Sequence, residues 1–142
     1  MKYEFACRDW CAALHGLIAE RATWELKTKP NLAMSICEVF TNAPAHIADV
    51  DGKVAWSCII EDGKVDFQIR ERDDVRFKVV GDYAAILPLG QFDTRGDPER
   101  AAELAALAAK VVESGGMKTT GERIANPQAM TSIHDAISRL TL

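Results

Sequence analysis

The chain has no apolar run near the roughly 18 residues that a membrane-spanning helix needs. Its first residues, MKYEFACRDW, hold no apolar core of the kind a secretory signal carries. The last, RLTL, are no peroxisomal address. These absences set the expectation of a cytoplasmic protein without stable membrane insertion. Positive charge is not in excess either: 17 Lys and Arg stand against 21 Asp and Glu, for a net charge of −4. That balance argues against nucleic acid or an anionic membrane as the main partner.

Metal chemistry lacks its usual marks. The histidines His15, His46 and His134 are dispersed and form no ligand motif. Cys7 and Cys11 lie four apart where the chain reads as helix, which puts them on one face, but no second pair completes a zinc site. Cys37 and Cys58 fall inside predicted strands, where free cysteine acts as a small apolar residue. No metal, disulfide or cofactor is expected. GDYAA carries no glycine-rich phosphate loop, and turn chemistry accounts for the Arg-Gly-Asp in GQFDTRGDPER. Neither internal repeats nor low-complexity tracts occur.

What is present fits one compact domain, 1–142: the chain is 48% hydrophobic and 27% charged, enough for a modest core but too short for two domains. Trp10, Leu14, Leu17 and Ile18 repeat at helical spacing and predict a helix over 9–26, ended by Pro30. The sheet and its remaining helices are expected over 33–140. In KVAWSCIIEDGKVDFQIRE, Asp62-Gly63 marks a two-residue hairpin. Counting outward, Glu61 opposes Lys64, Ile60 opposes Val65, Cys58 opposes Phe67 and Trp56 opposes Ile69, so both strands agree on one apolar face. VRFKVV alternates Val75, Phe77 and Val79 against Arg76 and Lys78, and DYAAILPLG reads as a short helical turn stopped by Pro88. DPERAAELAALAAKVVESGG has helix composition with Pro98 at its start, and its Ala101, Leu104, Ala108 and Val111 form a stripe suited to lying close on a sheet. GMKTTGE is the weakest strand pattern, and NPQAMTSIHDAISRL is a helix that presents Met130, Ile133, Ile137 and Leu140, with Asn126 as its cap. The strands do not alternate regularly with helices, so the expected class is α+β: a mostly antiparallel five-stranded sheet with helices packed on one face.

This order, together with KVAWSCIIEDGKVDF, DVRFKVVGDYAAIL and GMKTTGE, resembles the sterol-carrier-protein, or non-specific lipid-transfer, family over about 34–140. Two departures are visible: a longer helix over 97–114 and the inserted RIANPQ, both in elements that wall the family's lipid tunnel. The resemblance implies an apolar tunnel between sheet and helices that binds fatty acyl chains, sterols or other lipids without covalent chemistry. Trp56, Cys58, Phe67, Phe77, Met130, Ile133 and Ile137 are the wall candidates from the register and helix faces, against a reading of each as closed core.

Glu38 interrupts the apolar run MSICEVF. Strand parity places it with Met34, Ile36 and Phe40. If that face meets the helices, the carboxyl is buried, its pKa rises, and it can act as a general acid or base; a bulge would leave it at a solvated edge. Two readings follow. One is a carrier of a hydrophobic small molecule. The other is a cofactor-free isomerase or lyase in which Glu38 moves a proton and His46 or Tyr83 polarises an oxygen. The charge run RERDD is expected to keep a turn solvated. An exposed strand edge or tunnel mouth leaves room for a homodimer.

Overall fold

In the computed structural model the elements follow the order α1 (Arg8–Thr28), β1 (Met34–Thr41), β2 (Val54–Glu61), β3 (Lys64–Gln68), β4 (Phe77–Asp82), α2 (Tyr83–Gly90), α3 (Pro98–Glu113), β5 (Met117–Gly121) and α4 (Pro127–Ser138). The structure describes residues 1–122 and 127–142, with the backbone alone for 127–131. The expected cap Asn126 therefore lies outside the described residues.

The described strands form one five-stranded sheet, ordered β3-β2-β1-β4-β5. β1 pairs parallel with β4 and every other neighbour pairs antiparallel, so the sheet is mixed and mostly antiparallel. The hairpin register is the one counted from the sequence, with Glu61 on Lys64, Ile60 on Val65 and Cys58 on Phe67. Asp62 and Gly63 sit at φ 51° and 73°, the left-handed values a type I′ turn requires. The pairing of Trp56 with Ile69 is absent: β3 ends at Gln68, and Ile69 is 46% exposed.

That early ending has a topological cause. β3 is an edge strand and β4 lies on the far side of β1, so residues 69–76 must travel across β2 and β1 to begin β4. They cross on the face away from the main core. The Arg72 backbone N–H reaches Cys37 Sγ at 3.4 Å, and the Arg76 N–H reaches Ser35 Oγ at 2.7 Å. Val75, expected beside Phe77 and Val79, instead packs with Cys37, Val39 and Ala55 on this rear face, because it precedes the strand. RERDD is likewise more than a solvated turn. Arg72 keeps only 11% of its side chain exposed while bridging Asp66 and Asp74, each at 2.9 Å.

The other face carries the main core. Ile36 and Phe40 of β1, Trp56, Cys58 and Ile60 of β2, and Val79 of β4 join the buried stripe of α1 with Tyr83, Ile86 and Ile137 of α2 and α4. α1 starts one residue earlier than expected, where Cys7 Sγ accepts from the Trp10 N–H, and its last residue, Thr28, comes two later than expected, just ahead of the cap Lys29 and Pro30. Pro88 does not stop α2, which runs to Gly90. At the sixth position Pro88 forfeits one backbone bond, and the Gln91 N–H donated to the Leu87 carbonyl at 3.1 Å closes the final turn. α3 begins where expected, with Asp97 capping the Glu99 N–H and Pro98 first in the helix. Its stripe is only half-buried, because α3 packs on α2 and the edge strand β5 rather than on the sheet centre.

The chain termini are joined. Tyr3 bridges Thr141 in parallel, Trp10 Nε1 donates to Thr141 Oγ1 at 2.9 Å, and the Tyr83 hydroxyl donates to the Phe5 carbonyl at 2.7 Å. The Phe5 ring then packs against Trp10, Phe40 and Tyr83 with centroids 4.9–5.4 Å apart. Gly81 lets α2 fold back on the sheet: a Cβ there would meet Ile86 Cδ1 and lie 2.8 Å from the Gly116 carbonyl oxygen. Gly81→Ala is therefore expected to destabilise the fold by about 1–3 kcal/mol, the range for overpacking. Urea unfolding at neutral pH checks this, and an unchanged midpoint would show that Ile86 can move aside freely.

Candidate functional site

Sheet and helices do not close completely on each other. Between them lies a cavity of about 300 Å³ with Glu38, Trp56 and Val79 on its sheet side. α1 contributes Leu14 and Ile18, and α4 contributes Ile133, His134 and Ile137. Leu104 and Ala108 of α3 complete the wall, so the half-buried helix forms one side of the cavity. The volume sits at the lower end of the roughly 300–1,000 Å³ typical of small-molecule sites, and apolar side chains dominate the lining as they do there.

The row across the sheet explains why Glu38 is here. It pairs opposite Trp56 on one side and opposite Val79 on the other, and all share the helix-facing side. What surface the carboxyl retains belongs to the cavity wall. Burial pushes its pKa up to about 7, and no hydrogen bond or neighbouring charge among the described residues offsets that rise. Trp56 is 3% exposed, and its indole Nε1 is buried without an acceptor. Both groups lack a hydrogen-bond partner among the described residues, the indole nitrogen sealed in the packing and the Glu38 side chain on the cavity wall. His134 is different: its Nε2 donates to the Phe92 carbonyl at 3.0 Å.

The structure gathers some of the expected site residues and separates others. Trp56, Ile133 and Ile137 line the cavity together with Glu38. Cys58 is fully buried in the core, and burial raises its thiol to about 12, so it is neither wall nor nucleophile. Phe67 stacks between Trp56, at 5.6 Å, and His15, at 4.7 Å, beside the cavity rather than in it. Phe77 is half-buried against the core and does not reach the cavity, since it lies two residues before Val79 toward the strand start. The Met130 side chain lies outside the described residues.

His46 and Tyr83 do not join Glu38. His46 stands in the loop after β1, exposed, with its Nε2 2.7 Å from a Glu4 carboxylate oxygen. The Tyr83 hydroxyl is committed to the Phe5 carbonyl, and burial raises its pKa to about 12. Sequence reasoning misses Leu89 and Met117 as lining and places Trp10, Leu14 and Ile18 only in a core stripe. The periodic stripe is a sufficient signal for burial, and nothing in it separates core from cavity. Among the described residues no group of three or more His, Cys, Asp or Glu could hold a metal, and all four cysteines are free.

Comparison with known proteins adds the fold. No protein-family model matches the chain, and no curated protein matches it in sequence. Solved structures do match. A crystal structure of sterol carrier protein 2 superposes with a TM-score of 0.54 at 15% identity, covering 98% of this chain and 100% of that one. The solution structure of a conserved hypothetical protein from Thermus thermophilus, whose description suggests a sterol carrier protein, gives 0.51 at 12% identity over 99% and 90%. The chain therefore has the sterol-carrier-protein fold. No described helix is long and apolar enough to cross a membrane.

Glu38 carries a consequence for stability. Its folded pKa of about 7 exceeds the ordinary value of 4.5, so the folded state holds the proton more tightly than the unfolded chain does. Stability then falls as pH rises from about 4.5 to about 7 and levels off above, a total of up to about 3 kcal/mol. Urea unfolding of the wild type and Glu38→Gln across this window is expected to give a slope in the first only, with the variant the more stable at about pH 8. Parallel curves would show that Glu38 reaches water in the folded state.

Proposed function

We propose that this protein binds, and hands on, an apolar small molecule held between its sheet and its helices. The observation that carries the reading is the apolar cavity beneath α3, bounded by side chains from α1, α2, α4 and the sheet. Burial of about 200 Å² of ligand surface contributes about 5 kcal/mol before ordering costs, enough for loose, reversible capture. The sterol carrier protein named among the structural neighbours supports a lipid or another hydrophobic metabolite as the cargo class. A continuous tunnel and action in the cytoplasm belong to the same reading.

The alternative, a cofactor-free isomerase or lyase, retains one supporting observation, the unpartnered Glu38 in the cavity. It lacks the second group that the sequence suggests for it, because His46 and Tyr83 are bonded elsewhere. Loss of turnover of a small apolar carbonyl compound in Glu38→Gln, with the fold intact, would favour it over the carrier.

Native mass spectrometry of gently purified protein, followed by extraction, is expected to show a stoichiometric apolar adduct. Ala108→Phe should lower its occupancy at least tenfold by filling the cavity, with little effect on the melting temperature because α3 has no fully buried residue. A clean unliganded mass, together with no binding of added propylbenzene, would overturn the carrier.

A further inference from the structure

Among the described residues of the cavity wall, Glu38 is the one acid, and no Lys or Arg stands there to offset its charge. Its carboxyl bonds to nothing among the described residues, yet it is not sealed in the packing as the Trp56 indole nitrogen is. β1 is the central strand, so the surface that Glu38 keeps opens into the cavity. Around it Phe5, Trp10 and Trp56 contribute aromatic rings to the lining. We propose that Glu38 is the anchor for the ammonium group of an otherwise apolar amine held in the cavity. This rests on reading the cavity as a ligand container.

An ammonium supplies what the wall lacks. A buried carboxylate without a counter-charge loses its water uncompensated, and folding has already imposed that loss on Glu38. An entering ammonium therefore adds only its own dehydration, set against an ion pair formed in surroundings of low dielectric. Aromatic rings in the wall suit a cation better than Lys or Arg would, since their π faces attract positive charge. Other head groups compensate less. A hydroxyl bonds to the carboxylate but leaves its charge unbalanced, and a carbonyl oxygen pairs with Glu38 only after the acid takes up a proton. A carboxylate or phosphate sets like charges side by side. The volume adds a size limit. About 300 Å³ corresponds to about ten water volumes of roughly 30 Å³ each, which suits a ligand of about ten non-hydrogen atoms.

Calorimetric titration at about pH 8 with a matched series sharing one phenyl-alkyl body tests this: propylbenzene, phenylpropanol, phenylpropionate and phenylpropylamine. In an apolar cavity without an anchoring charge the amine binds far more weakly than the hydrocarbon, because the ammonium gives up its water uncompensated. With the anchor in place the amine is expected to bind about tenfold or more tighter than propylbenzene, and above the alcohol and the carboxylate. In Glu38→Gln the order of amine and hydrocarbon should reverse.

The amine itself stays cationic below about pH 9, as a lysine does. Wild-type affinity for it should therefore rise up to about tenfold between about pH 6 and about pH 8, as Glu38 loses its proton. At about pH 7 binding should release about half a proton, read from the difference in heat between two buffers of unlike ionisation enthalpy. The titratable groups around Glu38 are Cys11 of α1, whose thiol is raised to about 12 and stays neutral, its strand neighbour Cys37, also raised, and His134 of α4 in the same lining. The described lining residues from α2, α3, β2, β4 and β5 carry none. Loss of the pH step and of the released proton in Glu38→Gln assigns both to the anchor. A step that survives belongs to His134 and overturns the assignment, as does an alcohol or carboxylate that binds best. An amine no tighter than propylbenzene also removes the anchor and leaves the container standing. No binding by any of the four overturns the container, and the anchor with it.

Discussion

The placement of β1 at the centre of the sheet is the constraint on which the other features rest. It is bonded on one side to antiparallel β2 and on the other to parallel β4. Its residues are buried on both faces, with Ile36 and Phe40 toward the helices and Cys37 and Val39 toward the rear. A parallel neighbour cannot be reached by a tight turn, so the chain must cross the sheet between β3 and β4. Residues 69–76 make that crossing on the rear face, held down by backbone bonds to Cys37 and Ser35. The helices are then left to cover the front, where Glu38 has no route to water except through whatever space they leave.

That space follows from uneven packing. α1 and α4 lie against each other, and Trp10 Nε1 ties the first helix to Thr141. The loop before α3 is anchored as firmly: the buried Asp135 carboxylate accepts from the Thr94 N–H at 2.8 Å and from the Thr94 hydroxyl at 2.6 Å. α3 itself has no fully buried residue and meets the cavity through Leu104 and Ala108. An anchored loop followed by a lightly packed helix leaves the core incompletely closed at this point.

Most local signals in the sequence agree with the structure, and those that depend on distant parts of the chain do not. The hairpin register follows from Asp62-Gly63 and the alternation beside it, both local. The face shared by Glu38, Ile36 and Phe40 follows from parity alone. Ile69 and Val75 depart from their expected places because the crossover sets their positions, and only the strand order reveals the crossover. Pro88 has the pattern of a stop, but α2 needs only a few residues after it and Gln91 closes that turn. At the site, Trp56, Ile133 and Ile137 are legible from strand register and helix spacing. Phe67 is not separable from them in the sequence, since its stacking on His15 joins β3 to α1 across a long sequence interval.

An apolar container needs no polar group in its wall, and each buried polar group without a partner costs about 1–3 kcal/mol. Glu38 and Trp56 nevertheless stand opposite each other on the cavity side of the sheet, both unpartnered among the described residues. Replacing either by an apolar residue of similar size would recover much of that cost. The apolar walls supply affinity without direction, because hydrophobic burial is indifferent to orientation. The stability that the burial of Glu38 costs is therefore lost at the cavity wall, where apolar side chains otherwise dominate.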